Sequence, residues 1–239
     1  MINAKEQPKK PPARLYKIAV VSHDAGASEI LCAYVKENFE QAEWTLCAKK
    51  ESPFAKIALR EGLKTQEQLN LQEHDALFFG TGWQERIERP FLLEAKKHHI
   101  PSFAFLDHWS SYRERFGYPE ENWRENLPDF SVTSDDKAQQ KASSLGFPNI
   151  IKINNFYLQR QLKQIPQKTA SSQNLLFLSE PTDKVALSTH GDPNYWGFTQ
   201  YTALKEILEN FEKFECSNIS IRLHPVSYTH LTLPTKVSV

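Results

Sequence analysis

Charge of one sign is what this chain lacks most plainly. Lysine plus arginine and aspartate plus glutamate stand at 29 each, so no global field draws nucleic acid or an anionic lipid surface to it. Any recognition of an anion has to be local. Cysteine is scarce, and Cys32, Cys47 and Cys216 are far apart with no C-x-x-C spacing. Histidines do not cluster either, which removes a disulfide framework and a structural zinc site and fits a reducing cytoplasm. No long apolar run, internal repeat, G-x-G-x-x-G or G-x-x-x-x-G-K-[ST] is present. The first residues, MINAKEQPKKPPAR, have lysine and proline but no apolar centre, so neither a signal peptide nor a membrane anchor is read there. Residues 1–14 are expected to form a disordered leader, with peripheral membrane association through its basic residues as the alternative.

What remains is the composition of a folded protein: 40% hydrophobic and 24% charged residues over 239 positions, enough for a large domain and part of another. From Lys17 onward short apolar runs alternate with amphipathic ones. Strands are predicted at Lys17–Ser22, Glu43–Ala48, Asp75–Gly80, Ser102–Asp107, Phe130–Ser134 and Ile150–Ile153. Helices are predicted at Ala27–Phe39, Phe54–Glu61, Gln84–His99, Lys137–Leu145 and Tyr157–Ile165. Runs such as Ile18-Ala-Val-Val21 and Ala76-Leu-Phe-Phe79 are apolar toward both faces, as a parallel sheet covered by helices on each side requires. The fold class expected for residues 15–165 is therefore a doubly wound α/β sheet.

Residues 166–173 are polar and aperiodic and read as a linker. A new strand, Asn174–Leu178, follows, then a loop through Gly197, a helix over Gln200–Phe214 and a strand over Ile219–Leu223, which makes residues 174–225 part of a second β-α-β domain. Residues 226–239 resemble the translated adapter sequence of shotgun assemblies. The chain is accordingly expected to be truncated, with a non-native, poorly packed tail.

Candidate chemistry collects where strands end, since open α/β sheets bind ligands at their carboxyl edge. The first strand runs into Ser22-His23-Asp24-Ala-Gly26. There Gly26 admits close backbone approach to a ligand and the following helix offers N-terminal donors. The alternative is a tight turn capped by Ser22 or Asp24. Gly80-Thr-Gly82 follows another strand, with Trp83 either lining a cleft or packing inside. The stretch Asp107-His108-Trp109-Ser-Ser-Tyr112-Arg113-Glu114-Arg115 is the densest in acid, base, aromatic and guanidinium groups. In it Asp107 and His108 could accept a proton, Trp109 or Tyr112 could stack on a sugar or base, and Arg113 or Arg115 could pair with phosphate or carboxylate. A surface loop with Glu114 paired to an arginine is the alternative. Asp135 or Asp136 is read as a helix cap rather than a metal ligand. In the second domain Glu180 ends one strand while Arg222 and His224, two apart, end the other on one face, an arrangement suited to a phosphate.

With these residues in view, Lys17–Pro225 resembles the bacterial glycosyltransferases of GT-B type, built from two Rossmann-like domains. The most specific element is Ile221-Arg-Leu-His-Pro225, similar to the His-Pro motif of bacterial sialyltransferases and capsule polymer transferases. The resemblance implies that His224 contacts donor phosphate and that an acidic base lies in the first domain, at Asp107 or Asp24. The Asp/Glu-Asp-Gly motif usual for that base is not found. It further implies sugar transfer from a nucleotide sugar to a glycan acceptor in surface polysaccharide synthesis, without metal or other cofactor. A nucleotide-sugar epimerase or hydrolase of the same architecture, and a non-catalytic binding module, are the competing readings. No signal of oligomeric state is visible.

Overall fold

The computed structural model describes residues 14–82, 86–165 and 173–224. The leader up to residue 13, Trp83, linker residues 166–172 and everything from Pro225 onward, including the expected tail, lie outside the described residues. The chain divides into two compact units between Ile165 and Pro166.

In the first unit, apolar and amphipathic segments alternate as strand and helix. The order is β1 (Tyr16–Val21), α1 (Ala25–Glu37), β2 (Ala42–Cys47), α2 (Pro53–Arg60), β3 (Thr65–Gln66), β4 (Ala76–Gly80), α3 (Arg89–Lys97), β5 (Ser102–Phe105), β6 (Phe130–Thr133), α4 (Asp136–Ser144), β7 (Ile150–Lys152) and α5 (Phe156–Gln164). All seven strands are parallel, in the order β3-β2-β1-β4-β5-β6-β7. The chain builds outward from β1 in one direction, then restarts at β4 and builds the other way. The topological switch point therefore lies between β1 and β4.

Alternation along the strands feeds two cores. Ala19 and Val21 of β1 and Leu77 and Phe79 of β4 pack with Leu92 and Ala95 of α3 on one face. Val20 packs with Leu31 and Val35 of α1 and with Phe54 and Ile57 of α2 on the other. Burying each of the larger side chains among these contributes roughly 1.5–3 kcal/mol, so the sheet is held from both sides. Glu61, beyond the end of α2, accepts from Lys36 of α1 at 3.2 Å and from Arg160 of α5 at 2.9 Å, tying three helices together. Burial opposes its charge, but these cations outweigh it and hold its carboxyl below the ordinary range.

Two boundaries differ from the sequence expectation for physical reasons. Among the described residues the third helix runs from Arg89, with Pro90 in its first turn, because a proline further inside would remove a backbone hydrogen bond and clash with the preceding turn; the expected start at Gln84 lies outside the described residues. Helix α2 likewise opens at Pro53 rather than Phe54, with Ser52 as its N-cap accepting through Oγ from Ala55 N–H at 3.2 Å.

The second unit contains β8 (Asn174–Leu178), α6 (Thr182–His190), α7 (Gln200–Glu209) and β9 (Asn218–Arg222). The two strands pair in parallel with Leu178 opposite Arg222. Helix α6 occupies what reads in sequence as a loop, since Val185-Ala-Leu187 is one contiguous apolar run with little amphipathic period; Ala186 is its buried residue. The predicted helix over Gln200–Phe214 stops at Glu209 and continues as a 3₁₀ turn, Phe211–Phe214. Thr199 and Thr202 form the reciprocal cap that starts α7.

Candidate functional site

Three strand ends converge at the switch point. Asp24 follows β1, Gly82 follows β4 and Asp107 follows β5, and their contacts interlock. A Cβ placed on Gly82 would collide with the Asp24 carboxylate, and one placed on Gly26 with the Asp107 carboxylate. A Cβ on Gly80 would meet Ser22 Oγ and Ala27. A side chain at Gly26 or Gly82 would displace a carboxylate, and one at Gly80 the Ser22 hydroxyl or the Ala27 methyl. Ala25 and Gly26 are exposed, so the first turn of α1 opens to solvent. Asp24 sits at its N-cap in extended conformation, without a capping bond from its own side chain.

The Asp107 carboxylate is fixed by an arginine. Arg115 Nη1 donates to Asp107 Oδ1 at 2.5 Å, to the Thr81 carbonyl at 2.6 Å and to Thr81 Oγ1 at 2.9 Å. Thr81 Oγ1 in turn donates to the Phe105 carbonyl at 3.0 Å. The Arg115 side chain is 5% exposed and that of Asp107 16%, so one guanidinium staples the ends of β4 and β5 inside the protein. Its Nε also reaches the Ser110 carbonyl at 3.3 Å, and Ser111 between them adopts φ 54°, a left-handed conformation unusual for serine. Behind Gly80-Thr81-Gly82 lies a cavity of about 20 Å³, room for a single water.

The remaining loop residues separate by burial. Tyr112, a sequence candidate for stacking on a ligand, is instead 1% exposed and packs edge-on against Phe147; burial pushes its hydroxyl up to about 12. Arg115 is turned inward to Asp107, and Arg113 lies 4.1 Å over the Tyr118 ring. The carboxylate that Arg115 pairs with is thus the protein's own Asp107. His108 Nδ1 lies 3.0 Å from Ser110 Oγ. Trp109 is 46% exposed, and its indole N–H donates to Asp135 Oδ2 at 2.9 Å. Asp135 also caps α4 by accepting from Ala138 N–H at 2.8 Å. Burial works against the Asp135 charge, yet the donors from Ala138 and Trp109 outweigh it and hold its carboxyl below the usual range. His23 sits half-buried beside Asp24.

In the second unit the register of β8 and β9 sets their carboxyl ends side by side, and Ser179 N–H donates to the Arg222 carbonyl at 2.9 Å. His224 Nε2 stands 4.0 Å from Glu180 Oε2, and Arg222 is exposed. Glu180, Arg222 and His224 thus gather at one edge, as Asp24, Gly26, Gly82, His108 and Asp107 gather at another. Sequence reasoning missed the pairing of Arg115 with Asp107 and Thr81. The eight-residue spacing of Asp107 and Arg115, across a loop that ends in the 3₁₀ turn Glu114–Phe116, gives no periodic sign of it. No group of three or more metal-ligating side chains occurs among the described residues.

No protein-family model matches the chain, and no curated protein matches it in sequence. Solved structures do. UDP-N-acetylglucosamine 2-epimerase from Rickettsia bellii superposes with TM-score 0.57 at 15% identity, over 92% of this chain and 66% of that one. The corresponding epimerase from Neisseria meningitidis, bound to UDP-GlcNAc, gives 0.52 at 14%, over 87% and 66%. HepE from Anabaena, in complex with UDP-glucose, gives 0.51 at 13%, over 87% and 69%. The chain therefore spans just under two thirds of the length of the epimerases. At such identities the likeness is one of fold: a doubly wound, Rossmann-like sheet of GT-B kind, the class expected from the sequence. No described helix is long and apolar enough to cross a membrane.

Proposed function

We propose that the chain belongs to an enzyme that acts on a nucleotide sugar, moving the sugar to a hydroxyl of a glycan acceptor in surface polysaccharide synthesis. The observation that carries this reading is the interlocking of the β1, β4 and β5 ends, where two carboxylates lie against glycine backbone at the switch point of a Rossmann-like sheet, the place where such sheets take ligands. The solved structures of like fold that are described as bound to UDP-GlcNAc or UDP-glucose support the nucleotide-sugar part.

In this reaction the acceptor oxygen attacks the anomeric carbon while the bond from that carbon to the donor phosphate breaks. Asp107 and Asp24 are the candidates to take the hydroxyl proton; Asp107 is held by Arg115 and lies against the Gly26 turn. In the second unit His224 and Arg222 are the candidate contacts to the donor phosphate, with Glu180 beside His224. The reading takes no metal, and it places the enzyme in the cytoplasm, where nucleotide sugars are made. Leader contact with the membrane surface belongs to the same proposal.

A second reading, epimerisation or hydrolysis of the nucleotide sugar, is favoured by the epimerases among the structures of like fold. Incubating the protein with radiolabelled UDP-GlcNAc and UDP-glucose, with and without glycan acceptors, separates the two. Label incorporated into glycan supports transfer, whereas a changed or cleaved sugar in the absence of acceptor supports the alternative. Failure of either nucleotide sugar to bind would remove both.

A further inference from the structure

Trp109 is built unlike its neighbours in the Asp107–Phe116 loop. Tyr112 and Phe116 are 1% and 2% exposed and belong to the core, whereas Trp109 is 46% exposed. An exposed indole is usually mobile. This one is anchored, because its N–H donates to Asp135 Oδ2 while the other Asp135 oxygen caps α4. The ring is thus oriented by a helix and not by the loop alone. Lys137, one residue into that helix, places its ammonium 5.0 Å from the ring centroid. His108 and Ser110 add polar groups beside it, His108 with its ring 6.0 Å away. The loop carries Trp109 two residues past Asp107, whose carboxylate touches Gly26 in the switch-point crevice.

From this we infer that Trp109 is a preorganised platform for a pyranose ring of the saccharide acceptor, an inference that rests on the sugar-transfer reading above. A pyranose has an apolar C–H face rimmed by hydroxyls. The half-exposed, fixed indole offers a flat apolar surface, with Lys137 over the ring and His108 and Ser110 supplying polar groups at its side. An aromatic already held in place loses little freedom on binding, so its contact area converts efficiently to affinity. A nucleotide base is the competing flat ligand.

Calorimetric titrations with maltohexaose, chitohexaose, hyaluronan hexasaccharide and UDP test the assignment on the parent, Trp109→Ala and Trp109→Phe. The parent is expected to bind at least one hexasaccharide, with affinity lowered about tenfold in Trp109→Ala and less in Trp109→Phe. UDP affinity should be equal in all three. Circular dichroism should be unchanged, because a half-exposed side chain is removed. The inference is overturned if the parent binds none of the hexasaccharides, if Trp109→Ala binds them as the parent does, or if the loss appears in UDP binding instead. Failure of the sugar-transfer reading looks different: the parent would bind no UDP, while Trp109→Ala still weakened saccharide binding.

Discussion

The two units use the same β-α-β grammar and reach opposite degrees of consolidation. Among the described residues of the first, seven strands share five α-helices, and nearly all the buried apolar side chains reside there. Among the described residues the second contributes two, Ala186 and Ile219. Its strand β8 leaves Leu176 and Leu178 58% and 60% exposed, and α7 leaves Tyr201 and Leu208 exposed. Alternation alone therefore does not make a core. A strand face becomes interior only when neighbouring strands widen the sheet under a covering helix, and two strands give little to cover. The same contrast holds at the strand ends. Asp107 and Arg115 meet inside the protein at 2.5 Å, whereas His224 and Glu180 stand 4.0 Å apart with side chains 35% and 72% exposed.

Hydrogen exchange should show the largest effect. Amides of β1 and β4 should open only with global unfolding, and those of β8 and β9 at least about a hundredfold faster. Equal protection in the two sheets, read by mass spectrometry, would break the comparison.

Removing an ion-pair partner should come next. Arg115→Ala leaves a mostly buried carboxylate without its cation and should cost about 3–5 kcal/mol in urea unfolding. Glu180→Gln, at the exposed pair, should cost no more than about 1 kcal/mol. Similar costs at both sites would show that burial does not govern these pairs.

Apolar truncation sharpens the contrast further. Leu77→Ala empties a fully buried position and should cost about 2–5 kcal/mol, while Leu178→Ala should stay within about 0.5 kcal/mol.

The smallest effect concerns Asp135. Its folded carboxyl is held below the ordinary range, so its contribution is fully present above the unfolded value of about 3.9 and is lost as pH falls through the folded one. Asp135→Asn keeps a capping side chain and should cost about 1 kcal/mol at pH 7, a difference that shrinks below about pH 4. A gap that is independent of pH would mean the charge of Asp135 is not what stabilises α4.

Much of the fold is legible in the sequence because a parallel sheet writes itself as short runs apolar toward both faces. Ile18-Ala-Val-Val21 and Ala76-Leu-Phe-Phe79 mark β1 and β4 directly, and the glycines after each mark the crevice. Legibility fails where structure depends on partners distant in sequence. Thr65-Gln66 becomes a strand only by pairing with Leu46 and Cys47, and Tyr112 becomes core only because Phe147 and Lys141 pack on it. The inward turn of Arg115 depends on the Thr81 carbonyl 34 residues earlier. Charge density in Asp107–Arg115 reads as a ligand surface, and about half of it is internal scaffolding.

The central claim is that the carboxyl-end crevice of the first unit receives the reacting sugar. Titrating ¹⁵N-labelled protein with UDP-GlcNAc and following amide shifts tests it most directly. The account predicts shifts at Asp24, Gly26, Gly82 and Asp107 with UDP-GlcNAc, and at Ser179, Glu180 and His224 with UDP alone. Saturable binding of UDP-GlcNAc that leaves Asp24, Gly26, Gly82 and Asp107 unshifted would contradict it.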